Sequence, residues 1–231
     1  SAAAGGGGAR DGDVNDAIEF VLQNFTEMNK LWVRLQHSGP QRERKKREAE
    51  RGELRLLIGK NLARLSQLDA LSLDAYQQHV LPRLSEQIVT CRDTLAQQYL
   101  MECLIQAFPD EFHLATLDSV LGTCAHLQPD VDVKQIVISL IDRLAAFATR
   151  SDGVPPEIDV FGVFYKAIAR IVQHRRNMPP ADALALHVSL TNLSMRCYAD
   201  RVDYVNAVFV SAARYLHLVT GGGGGDRRRA A

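Results

Sequence analysis

A chain of 231 residues with 46% hydrophobic side chains can bury one large core or two small ones. Lys and Arg total 27 against 27 Asp and Glu, so no basic excess points to nucleic acid and no general cationic coat points to a membrane surface. Cys91, Cys103, Cys124 and Cys197 lie far apart and read as buried apolar residues of a reducing compartment. No apolar run reaches the roughly 20 residues of a membrane span. The Ala/Gly-rich start lacks the apolar core of a secretory leader, so a cytoplasmic chain is expected.

Residues 1–12, SAAAGGGGARDG, are low in complexity and cannot bury enough apolar surface to offset their ordering entropy; disorder is expected there. From residue 13 onward the apolar period is helical almost throughout. The pattern predicts helices over 13–37, 42–68, 72–90, 93–108, 110–128, 132–150, 157–176, 179–198 and 200–219, with no sheet. Breaks fall where Gly, Pro, Asp and Ser gather: HSGP (37–40), QLDALS (67–72), CRD (91–93), FPD (108–110), QPDVD (128–132), SDGVPPEID (151–159) and NMPP (177–180). The segment 132–150 is the clearest, with Val133, Ile136, Val137, Leu140, Ile141, Leu144 and Phe147 on one face and Asp132 placed as its N-cap. Pro82 interrupts the helix over 72–90 and predicts a kink or break near Val80–Leu81. Gly59 lies within a helical stretch, where either close approach of a neighbour or simple tolerance would account for it. Residues 220–231 return to low complexity and are expected to be disordered.

Helices joined by short connections pair at about 40 residues per pair, the period of HEAT-like repeats. Two helices look apolar on two faces. Over 93–108 these are Leu100, Cys103, Leu104 and Ala107, then Met101 and Ile105. Over 179–198 they are Leu186, Leu190, Leu193 and Cys197, then Leu184, Val188 and Met195. A helix apolar on two sides is sandwiched between layers. The predicted fold is therefore all-α: an α-solenoid of about nine helices in stacked antiparallel hairpins over 13–219. Both end helices, with Ile18, Leu22, Phe25, Leu31 and Trp32 in the first and Val202, Val205, Val208, Phe209 and Leu216 in the last, are expected to leave part of these sets exposed.

Chemistry-bearing patterns are sparse. There is no CxxC, HExxH or GxSxG, and the Gly runs do not join a strand to a helix. Asp110–Glu111 and Asp200–Asp203 sit at helix starts, where capping explains them. No catalytic residue, metal site or cofactor is expected, and an all-α enzyme finds no support. One charge run stands out, QRERKKREAER over 41–51, with Arg42, Arg44, Lys45, Lys46, Arg47 and Arg51 against three glutamates. Its spacing favours an exposed helix laced by pairs such as Glu43–Arg47 and Glu43–Lys46. It is also a candidate interaction surface for an acidic protein segment or anionic membrane. Arg227, Arg228 and Arg229 in the tail read as solvated.

The stretch NFTEMNKLWVRLQHSGPQRERKKREAERGELRLLIGKNLARLSQLD (24–69) resembles the vacuolar protein sorting-associated protein 35 family, the large helical subunit of retromer. The likeness continues through 91–127, 132–150 and 178–206, with FPDEFHL, LIDRLA and DRVDYV its most specific pieces. It covers about residues 14–210 and corresponds to an inner part of the family's N-terminal half. The resemblance implies a non-catalytic scaffold in cargo-selective transport from endosomes to the Golgi or plasma membrane, acting as a peripheral complex on the cytosolic face of endosomes. It implies as partners an arrestin-like subunit, a metallophosphoesterase-like subunit, sorting nexins, a Rab GTPase and cargo tails. The family's PRLYL motif for the arrestin-like subunit lies upstream of the matched stretch. Leu81-Pro82-Arg83-Leu84 repeats only PRL, inside a later helix and followed by Ser85, and is not carried over. The Gly-rich ends stand where the family has other sequence, so either a truncated product or an imperfectly read gene is expected. A HEAT-like scaffold of another vesicle coat or adaptor is the alternative reading.

Overall fold

The computed structural model describes residues 14–221, apart from 70, 152, 156 and 176; the two expected disordered ends lie outside these, save Thr220 and Gly221, which are helical. Contacts divide the chain into two compact units, one through Leu84 and one from Ser85 on.

In the first unit, α1 (Val14–His37) turns at Gly39, whose φ of 104° is open to glycine but strained for other residues. A single 3-10 turn, Gln41–Glu43, leads into α2 (Arg44–Ser66). Arg51 donates to Gln36 Oε1 at 3.0 Å, and Asn61 donates to the Met28 sulfur at 3.8 Å. These pairs run in opposite directions along the chain, so the two helices are antiparallel. Ile18, Leu22, Phe25 and Trp32 of α1 and Leu54, Ile58, Leu62 and Leu65 of α2 are all buried. Both sets follow the i, i+3, i+4 spacing of one helical stripe, and their burial is the main stabilising term of the hairpin. Gly59 lies half-buried within α2.

The next predicted helix opens as α3 (Leu73–Ala75), capped by Ser72, whose Oγ accepts from Ala75 N at 3.1 Å. It widens into a π-helical turn over Tyr76–Val80 and resumes as α4 (Leu81–Thr90). Pro82 supplies the reason. Its ring would strike the Gln78 carbonyl in α geometry, and it has no N–H to offer that carbonyl. Wider i to i−5 bonding, with Leu81 N on Tyr76 O, relieves the clash. The expected kink is thus a local widening. Arg83 forms a two-pronged ion pair with Glu19 of α1, while Leu81 and Leu84 are buried. The PRL letters have a packing explanation.

The second unit holds α5 (Thr94–Ala107), α6 (Asp110–Ala115), α7 (Leu117–Ala125), α8 (Val133–Arg150), α9 (Val160–His174), α10 (Pro180–Cys197) and α11 (Val202–Gly221). The single helix predicted over 110–128 is divided at Thr116. Its hydroxyl donates to Phe112 O at 2.7 Å, and its φ of −118° leaves the α region. Asp93, Asp132 and Asp159 cap α5, α8 and α9, accepting from the N–H three residues on at 2.8, 3.0 and 2.9 Å.

Asp118 at the start of α7 meets Arg170 near the end of α9, and the loop after α7 meets Arg175 just past α9. Lys134 at the start of α8 meets Asp182 at the start of α10. Alternate helices therefore run parallel, so the hairpin α7–α8 stacks on the hairpin α9–α10. Equivalent positions lie 48 to 52 residues apart, longer than the predicted period of about 40, because the 151–159 and 175–179 connections add length. No strand occurs among the described residues, and the all-α class of stacked hairpins stands.

α5 is sandwiched as expected, with Leu100, Met101, Cys103, Leu104 and Ile105 buried. α10 is not. Leu186, Leu190 and Leu193 are buried, but Val188 and Met195 are 59% and 62% exposed. Its single buried face is widened instead by Ala183, His187 and Ser194 on one flank of the leucine stripe and by Ser189 on the other. His187 Nδ1–H donates to Ala183 O at 2.7 Å, which leaves Nε2 to accept from Ser211 of α11 at 3.2 Å. A polar ring paired at both nitrogens can line a helix contact that hydrophobic pattern does not show.

Candidate interaction surfaces

The described residues contain no group of three or more His, Cys, Asp or Glu side chains placed to hold a metal. The polar groups brought together in the second unit tie helices to one another. Arg143 of α8 reaches three acceptors at once: the Ile105 and Phe108 carbonyls, the second at 2.8 Å, and the Asp110 carboxylate. Its planar fork closes the end of α5, the FPD turn and the start of α6 in one contact. His113, fully buried, donates from Nε2 to the same Ile105 carbonyl at 2.9 Å. Its other nitrogen has no partner among the described residues. Burial, and then the charge of Arg143, lower the imidazole from its ordinary 6.5 to about 4, so it is neutral at physiological pH. The FPDEFHL and LIDRLA stretches are thus two halves of one structural lock.

Arg175 does the same for the α7–α8 loop, donating to the carbonyls of Leu127, Gln128, Pro129 and Val131 at 2.9 to 3.3 Å. It lines an open groove of about 700 Å³ with Lys134, His174, Met178 and Asp182. Behind it, burial pushes the Cys124 thiol up to about 12, so that sulfur is an inert apolar group. In the DRVDYV stretch, Arg201 forms a two-pronged pair with Asp203 and lies 4.0 Å over the Tyr204 ring. Tyr204 stacks on Phe161 with centroids 3.9 Å apart, joining α11 to α9.

The charged run over 41–51 lies on the surface, mostly in the first half of α2. Arg44 pairs with Glu48 at 2.8 Å and Lys46 with Glu50 at 3.8 Å. The expected Glu43–Arg47 and Glu43–Lys46 pairs give way to these, because Glu43 belongs to the 3-10 turn, where the i, i+4 alignment is lost. Arg47 instead donates to Pro40 O at 2.7 Å, closing the Gly39 turn. Arg51 lies 5.4 Å over the Trp32 ring, so it is part of the α1–α2 packing. Arg42 and Lys45 project into solvent. Of the six candidate surface residues, Arg47 and Arg51 therefore have structural duties, and four remain outward.

The sequence patterns behind these contacts recur in known proteins. Residues 3–223 match the family model described as vacuolar protein sorting-associated protein 35. The chain belongs to that family. It is 58% identical over 199 residues to vacuolar protein sorting-associated protein 35 of Dictyostelium discoideum, covering 86% of this chain and 26% of that protein. It is 50% identical over 210 residues to the 35C protein of Arabidopsis thaliana, covering 89% of this chain and 27% of that one. It is 38% identical over 239 residues to the Schizosaccharomyces pombe protein, covering 87% and 28%. The chain thus spans about a quarter of the length of these relatives. Among the described residues of this family member, no helix is long and apolar enough to cross a membrane.

Proposed function

We propose that the chain is a scaffold segment of a retromer-type large subunit, serving cargo-selective sorting from endosomes to the Golgi or plasma membrane. The match of residues 3–223 to a protein-sorting family carries this reading. The stacked hairpins of α7 to α10 suit it, since such stacks offer long, rigid surfaces on which partners are spaced. The buried polar contacts at Arg143 and Arg175 act in the same sense, fixing helix against loop. In this reading the work is mechanical and non-catalytic. The partners are an arrestin-like subunit, a metallophosphoesterase-like subunit, sorting nexins, a Rab GTPase and cargo tails, on the cytosolic face of endosomes. The motifs that bind the two core subunits lie elsewhere in such proteins.

Affinity capture of the epitope-tagged chain from its own cells, with quantitative mass spectrometry, tests the proposal. Enrichment of retromer subunits and sorting nexins supports it. Enrichment of components of another vesicle coat, with retromer absent, overturns it.

A further inference from the structure

The formal charge of the chain is zero, yet residues 41–66 hold nine Lys and Arg against four Glu, a net of +5. That excess is concentrated on one side of α2. Leu54, Ile58, Leu62 and Leu65 turn inward against α1. At 100° per residue, the opposite side carries Lys45, Lys46, Leu56, Leu57, Lys60 and Arg64, with Glu53 its single carboxylate. All are exposed, and Lys45, Lys60 and Arg64 make no ion pair among the described residues. Leu56 is 63% exposed and Leu57 52%, in the middle of the stripe. An adjacent pair of large apolar side chains so open to water, framed by four cations, is unlike the solvated face a salt-bridged helix normally presents.

We propose that this outer face of α2 docks an acidic segment of a partner protein that places apolar side chains between its carboxylates. The stripe from Lys45 to Arg64 is about 29 Å long at 1.5 Å per residue, which matches a bound helix of about five turns. The leucines supply the contact that excludes water, and the cations supply orientation and approach rate. A membrane fits less well. An interfacial helix sinks a broad face with aromatic residues into lipid, whereas α2 has no aromatic residue, and Glu53 in the middle of the stripe would meet anionic headgroups. Sequence reading singled out the basic run but not the leucines, because Leu56 and Leu57 sit in an apolar stretch whose inward residues are their immediate neighbours.

The test is fluorescence anisotropy of the chain with a labelled synthetic helical peptide bearing Glu and Asp around a Leu stripe. Binding is expected that weakens with salt. It should fall about tenfold or more in the Lys45→Glu/Lys60→Glu variant and several-fold in Leu56→Ser/Leu57→Ser. Exchanging Arg196 and Arg214 for Glu, the same change of charge at exposed sites in the second unit, should leave it within about twofold. Circular dichroism checks that each variant keeps its helix content, and Lys45→Gln/Lys60→Gln replaces the reversal if that variant is misfolded. No binding, equal loss in the control, or α2-dependent binding only to phosphatidylserine vesicles would overturn the proposal.

Discussion

Arg143 and His113 show how much of this fold hangs on single polar side chains. Replacing Arg143 with Met keeps the aliphatic stem but leaves the Ile105 and Phe108 carbonyls and the Asp110 carboxylate without their donor. A loss of about 2–4 kcal/mol is expected in urea denaturation. Arg143→Lys should recover only part of it, because one ammonium cannot span three acceptors held in a plane. His113 adds a pH term. Its folded value of about 4 lies below the ordinary 6.5, so between these values the unfolded chain takes up the proton first. The stability it contributes is full above pH 6.5 and is lost as pH falls toward 4. From pH 7 to 5 the loss should be on the order of 1–2 kcal/mol, and His113→Gln should remove that slope. Equal slopes in the two proteins would show that His113 does not titrate as its surroundings dictate. None of these partnerships was legible from the sequence. Arg143 lies 33 to 38 residues from its acceptors, and two of the three are backbone carbonyls, which have no letter of their own.

Helices were the legible scale. Each predicted helix has its counterpart, because apolar spacing and the breaks at Pro, Gly and Asp are local signals. The misses have local physical causes too. Thr116 divides α6 from α7 by bonding back to Phe112 O, which the apolar pattern across the junction hides. The π turn before Pro82 was foreseen as a kink, but its form depends on which carbonyl finds a donor. Pro82→Ala restores an N–H for Gln78 O and removes the ring clash. It should raise stability by about 1–2 kcal/mol, after allowing for the greater freedom of the unfolded chain. A loss of stability on that substitution would mean that the π turn is held by the packing of Tyr76 and Val80 instead. The second face of α10 was misjudged for another reason. Sequence apolarity marked Val188 and Met195, while burial went to Ser189, Ser194 and a doubly bonded His187.

At the scale of the whole molecule, the expected exposure of the end helices holds unevenly. Ile18, Leu22, Phe25 and Trp32 are buried within the first unit, and only Leu31 of that set, 46% exposed, faces out. In α11, Val208 is buried, but Val202, Phe209 and Leu216 are 64%, 59% and 39% exposed. A patch of this kind draws partners or self-association. The isolated chain should therefore show concentration-dependent light scattering, and Val202→Ser with Phe209→Ser should reduce it. A monodisperse monomer at all concentrations would mean that the α11 face is tolerated by solvent as it stands.

The proposed role of this chain as a sorting scaffold is open to a direct exchange. Residues 14–210 would replace the corresponding quarter of the Dictyostelium protein in cells lacking their own copy. If the account is right, the chimera restores endosomal recycling of a sorted receptor to near the parental level, measured by its steady-state amount at the Golgi. A chimera that accumulates normally and keeps its helical content, yet leaves the receptor in degradative compartments, would contradict it.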